Sequence, residues 1–172
     1  MNAVEIIKFV KEYGLPDVSL GDIDDCYDLV DRLISCNQYE VIVDEKGLVA
    51  VLLYYKVRNL KEVAFRRGTN IPPKNYRYGN IVYVHTYVAR PDYRNKSKNI
   101  VWEIIKRVRE KELLCDTVAW TLNRKNHWFS KLERRRTEMR DNCGIIALDT
   151  LIKSLNVKKQ NKFIYFDEYL QR

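Results

Sequence analysis

Two groups of residues in this sequence have the types and spacing to do chemistry. The first is a basic polar run, Arg94, Asn95, Lys96, Ser97, Lys98 and Asn99, and the second is a histidine upstream of it, His85. Helix N-termini gather unpaired N–H groups and partial positive charge, so a basic loop feeding a helix predicts an anion site, with a phosphate ester as its ligand. Such a loop is also an ordinary polar turn in which Ser97 or Asn99 caps the helix. His85 has an unperturbed pKa of about 6.5, which suits proton transfer near neutral pH. Strand alternation also allows it a packing role on one face with Tyr83 and Tyr87. His127, the other histidine, opens a predicted helix and reads as a surface or capping residue.

Other chemistries have no support in the sequence. No Ser-His-Asp, paired-carboxylate or phosphate-loop NTPase pattern is discernible, and neither Cys115 nor Cys143 carries a cue for an activated thiolate. The cysteines Cys26, Cys36, Cys115 and Cys143 lack short metal-type pairing and have only 2 histidines to help them. They read as reduced thiols, and no metal is expected.

The stretch that must position these residues runs from Asn80 to Lys111. A β-branched and aromatic strand leads to a turn at Arg90-Pro91-Asp92, then the basic loop, then a helix from about Ile100 to Leu113 with Ile100, Ile104, Val108, Trp102 and Ile105 facing a sheet. Before it, helical spacing covers Asn2 to Glu12 through Val4, Ile7 and Val10, with Ile6 and Phe9 adjoining. A second helix is predicted from about Asp22 to Cys36, with Ile23, Tyr27, Val30, Leu33 and Ile34 inward. Tyr39–Val43 and Leu48–Val57 read as a hairpin closed at Gly47, and Asn59–Tyr78 as an exposed loop. After the helix, Asp116–Leu122 reads as a buried strand and His127–Arg140 as a basic helix. Gly144–Leu155 is either a strand and short helix or one helix, Asn156–Asn161 a polar connection, and Lys162–Tyr169 a final strand.

At 172 residues and 46% hydrophobic content, the chain is long enough for one packed domain, expected to span residues 1–172. Met1 to Tyr13 already mixes Glu5, Lys8, Lys11 and Glu12 with apolar positions, and the apolar runs are short. A cytoplasmic protein with no membrane partner is therefore expected. Residues 1–50 carry 4 Lys/Arg against 11 Asp/Glu, while the remainder carries 27 against 12. A basic excess of that size attracts polyanions, and a phosphorylated cofactor and a nucleic acid both qualify.

The phrase Val88-Ala89-Arg90-Pro91-Asp92-Tyr93-Arg94 and the loop after it resemble the central segment of the GCN5-related N-acetyltransferases (GNAT). That family writes the loop as Arg or Gln-x-x-Gly-x-Gly or Ala. Arg94 occupies the first position, and Ser97 and Asn99 stand at the two small-residue positions. The resemblance implies an α+β fold with a central twisted, mostly antiparallel sheet, one splayed strand pair, and about four flanking helices. It also implies an acyl-CoA-dependent N-acyltransferase that moves an acetyl group directly from acetyl-CoA to an amine of a small molecule or protein. Main-chain groups of Thr86, Tyr87 and Val88 would polarise the acyl carbonyl. Residues Arg94 to Asn99 would hold the cofactor diphosphate, Asn126 would line the cofactor at the end of the next strand, and His85 would serve as base. The family's tyrosine acid has no counterpart, since Phe129 and Glu133 fill the positions counted from Asn126. The alternative is a chain that keeps the fold without the reaction and binds a protein partner or nucleic acid through a basic surface including Arg134, Arg135 and Arg136.

Overall fold

Asn2 opens the first helix with a reciprocal cap. Its side chain accepts from the Glu5 N–H, and the Glu5 carboxylate accepts from the Asn2 N–H, both at 3.0 Å. Two N–H groups that a helix start leaves open are thereby satisfied. This helix, α1 (Ala3–Tyr13), begins a computed structural model that describes residues 1–14, 23–66, 69–94, 100–121, 138–140 and 143–161. Its buried side is Ala3, Ile6, Ile7, Phe9 and Val10. Val4, which the spacing reading places inward, is exposed, because Ala3 closes the 3-6-7-10 stripe. In α2 (Ile23–Ser35) Val30 and Leu33 are buried, but Tyr27 is 45% exposed and lies outside the inner face assigned to it from sequence. Asn37 ends α2 in a left-handed conformation (φ 56°) while Gln38 N–H reaches back to the Leu33 carbonyl at 2.8 Å. Asparagine is one of the few residues that takes this backbone readily.

Strands β1 (Tyr39–Asp44) and β2 (Gly47–Val57) form the predicted hairpin, with Gly47 at φ 115°. Asn59–Tyr78, read from sequence as a loop, holds a 3-10 turn at Leu60–Glu62 and a small hairpin of β3 (Ala64–Arg66) and β4 (Thr69–Ile71). Next come β5 (Ile81–Ala89), the single turn α3 (Pro91–Arg94), α4 (Ile100–Lys111) and β6 (Thr117–Thr121). The last described elements are β7 (Glu138–Arg140), β8 (Cys143–Ala147) and α5 (Leu148–Asn161).

Two readings of the tail change. Glu138–Arg140 is a strand, because its main chain pairs with β8, so the helix read over His127–Arg140 does not reach its end. Gly144–Leu155 takes the strand-then-helix form, and the helix continues through Asn156–Asn161. Polar composition suggested a connection there, yet Lys and Gln are good helix formers. The strand read at Lys162–Tyr169 lies outside the described residues.

The described strands form a six-stranded sheet ordered β1-β2-β5-β6-β8-β7, with β5 and β6 its parallel pair. Helices α1 and α2 cover one face through Ile6, Val10, Val30 and Leu33 against Val51, Leu53, Tyr55 and Tyr83. On the other face α4 and α5 pack Ile104, Val108 and Leu151 against Leu52, Val82, Val118 and Trp120.

The amino end of β5 is held by a buried polar clamp. Glu112, just past α4, accepts from Tyr54 Oη and from Lys56 Nζ, both at 2.8 Å. Burial and this carboxylate push the Tyr54 hydroxyl well above the usual tyrosine range. Lys111 pairs with Glu40 at 2.5 Å and donates to the Tyr39 carbonyl at 2.6 Å, while Arg107 donates to the Val41 carbonyl at 3.0 Å. Gly79, before β5, has φ 155°, and a Cβ there would lie 2.1 Å from the Val57 carbonyl oxygen. Gly79→Ala is therefore expected to destabilise the fold by about 2 kcal/mol or more, read as a fall in the denaturation midpoint with an unchanged denaturant slope.

Candidate functional site

Among the described residues, strand β5 pairs with β2 to its end but with β6 only over its first part. Its pairing with β6 covers Ile81 to Val84, opposite Thr117 to Trp120, whereas its pairing with β2 continues to Ala89 opposite Ala50. Among the described residues the parallel pairing ends at Val84 and Trp120.

A bulge sits at that point. Leu53 pairs with Thr86 and Tyr54 with Val84, which leaves His85 as the extra residue of β5. Bulges bend a strand and re-aim its side chains. Here His85 and Thr86 share the α1/α2 face: the His85 ring lies 6.3 Å from the Tyr55 ring, and its Nδ1 is 2.8 Å from Thr86 Oγ1. Tyr87 therefore turns to the α4 face. The sequence expectation that His85 and Tyr87 share a face is corrected by this one added residue.

The bulge also fixes the direction of the main chain. Arg90 N–H donates to the Val49 carbonyl at 2.8 Å, so Arg90, Val88 and Thr86 direct their main-chain groups at β2. Tyr87 and Ala89 alternate with them and direct theirs away from β2. Thr86, Val88 and Ala89 are buried and Tyr87 is half-buried.

The chain leaving β5 is tied to the β1–β2 turn through Asp44. This carboxylate accepts from Arg90 Nη2 at 2.5 Å, Arg90 Nη1 at 3.4 Å, Tyr93 Oη at 2.7 Å and Lys46 N–H at 2.9 Å. Arg90 also donates to Asp92 at 2.7 Å and to the Leu48 carbonyl at 3.4 Å, and its guanidinium lies 5.0 Å from the Tyr93 ring centre. Hydrogen bonds from Arg90 and then Tyr93 pull the Asp44 carboxyl from 3.8 down to about 2. Sequence reasoning missed this cluster. Asp44 reads as a turn residue and Arg90 as part of another turn, and nothing local marks the pairing of residues so distant in sequence.

Of the residues predicted to act, the fold brings His85, Thr86, Tyr87 and Val88 together past the last described pair of β5 with β6. The main chain of Arg94 ends α3, the turn that follows the carboxyl end of β5. Asn95, Lys96, Ser97, Lys98, Asn99, Asn126 and the basic residues Arg134, Arg135 and Arg136 lie outside the described residues, as does His127. Among the described residues no three His, Cys, Asp or Glu side chains gather as a metal site, and no helix is long and apolar enough to cross a membrane. Burial pushes the Cys115 thiol up to about 11, away from nucleophilic reactivity.

Neither a protein-family model nor a curated protein matches the sequence. Solved structures do match. A possible acetyltransferase from Clostridium difficile 630 superposes with a TM-score of 0.52 at 17% identity, over 81% of this chain and 87% of its own. The Bacillus subtilis N-acetyltransferase YlbP, solved with coenzyme A, gives 0.51 at 13% identity over 86% and 91%. The Escherichia coli GNAT family N-acetyltransferase YhbS, also solved with coenzyme A, gives 0.50 at 13% identity over 94% and 88%.

This is the GNAT fold. The mixed α+β architecture expected from the central segment is the one observed, and the splayed pair of this GNAT fold is β5 and β6. At these identities the likeness extends to the fold alone.

The depressed Asp44 carboxyl makes a pH prediction. A group whose folded pKa lies below its unfolded one adds stability above the unfolded value and loses it as pH falls through the folded value. Denaturant unfolding of the native chain should therefore weaken between about pH 4 and about pH 2 by an increment that Asp44→Asn lacks.

Proposed function

We propose that this protein is an acyl-CoA-dependent N-acyltransferase that moves an acetyl group directly to a primary amine. The observation supporting this is the direction of the Tyr87 and Ala89 main-chain N–H groups, which point away from β2 past the last described pair of β5 with β6, in a fold shared with acetyltransferases. Main-chain N–H groups at a buried strand end are suited to an oxygen that gains charge during reaction.

Acetyl-CoA supplies a thioester carbonyl and a thiolate leaving group. The Tyr87 N–H polarises the carbonyl oxygen, and Thr86 and Val88 hold that amide in place through their pairing with β2. Arg94, Asn95, Lys96, Ser97, Lys98 and Asn99 lead into α4, where loop N–H groups and basic side chains suit a diphosphate. Asn126 follows β6, where it would line the acyl arm. His85 takes the proton that the amine must lose. Its Nδ1 contact with Thr86 Oγ1 orients the ring. On the α1/α2 face, the exposed carboxylates Glu5, Glu12, Asp28 and Asp31 favour a cationic acceptor.

Calorimetric titration with acetyl-CoA is the deciding experiment: saturable heat is expected, and none at about millimolar ligand would remove the proposal. In a panel of primary amines, His85→Gln should lower kcat on the best acceptor by about a hundredfold or more, with acetyl-CoA affinity retained. An unchanged rate would return His85 to a packing role.

A further inference from the structure

We propose that Asp44 is a positioning residue for coenzyme A binding, a strut on the β1–β2 turn that fixes how the chain leaves β5. The inference rests on the acyltransferase reading above.

Asp44 grips both sides of Pro91-Asp92: Arg90 precedes the pair and Tyr93 follows it, and both donate to the same carboxylate. Tyr93 N–H closes the turn on the Arg90 carbonyl at 3.0 Å. The direction in which the chain departs toward Arg94 is thus set by a residue in another hairpin. Arg90 is committed as well. Its guanidinium is engaged by Asp44, Asp92 and the Leu48 carbonyl, and its side chain is 11% exposed. It therefore belongs to the strut and is not an anion ligand.

Charge gives the argument a sign. By Coulomb's law alone, a carboxylate near a diphosphate opposes binding. If Asp44 acted through charge, neutralising it would tighten coenzyme A binding. If it acts through geometry, the same change loosens it, because Asn loses the charge-assisted fork to Arg90.

The test uses the full chain and two variants, Asp44→Asn and Tyr93→Phe, the second keeping the ion pair so that folding is preserved. Amide hydrogen exchange on the free protein should show Asp92, Tyr93 and Arg94 exchanging about tenfold faster in each variant, with β2 and α1 amides unchanged. The acetyl-CoA Kd by calorimetry should rise about fivefold to tenfold, with kcat at saturation and acceptor KM unaltered and Asp44→Glu recovering part of the loss. Native exchange rates at these amides in both variants, or Asp44→Asn binding acetyl-CoA as tightly as the native chain or more tightly, would overturn the proposal alone. A native chain that gives no heat with acetyl-CoA removes the acyltransferase reading and this proposal together.

Discussion

Past Val84 the described strand pairing of β5 is with β2. Buried backbone donors and acceptors need partners, so a change of register inside a sheet is a demanding arrangement. The bulge at His85 reconciles it with a packed core. One added residue lets Thr86 and Val88 keep their ladder with β2 while Tyr87 and Ala89 turn the other way. It also exchanges the faces, so Tyr83 and Val88 both pack toward α1 and α2 although they are an odd number of residues apart.

The proposed site lies at one end of the sheet, and the other end is fastened. Glu112 binds Tyr54 and Lys56 beneath the start of β5, Asp116 N–H reaches the Asn80 carbonyl at 3.2 Å, and Leu148 N–H reaches the Asp116 carbonyl at 2.7 Å. At the carboxyl end the fastening is different in kind. A second bulge, where Ile42 pairs with Ala50 and Val43 with Leu48, leaves Val49 as the extra residue of β2, and its carbonyl takes the Arg90 N–H. Asp44 then gathers Arg90 and Tyr93. The clamp at one end is mostly buried, and the tie at the other borders the proposed site.

Much of this was legible in the sequence where signals are local. The first helix, the Gly47 hairpin and the nine-residue strand β5 follow from spacing and turn chemistry, and the phrase from Val88 to Arg94 carries the fold. Three features were not. A bulge adds one residue to a strand without altering its composition, so face assignments past His85 go wrong by parity. Helix faces shift when a small residue such as Ala3 takes an inner position from Val4. The Asp44 cluster joins residues whose nearness exists only once the sheet is assembled.

The ion pairs and carbonyl bonds made by α4 along β1 have a separate consequence. Among the described strands β1 is the outermost on its side, and an outermost strand is a template on which another polypeptide can align. The carbonyls of Tyr39 and Val41 are already occupied by Lys111 and Arg107. The helix thus blunts that flank: two of the acceptors that another main chain would use there already carry a cationic side chain.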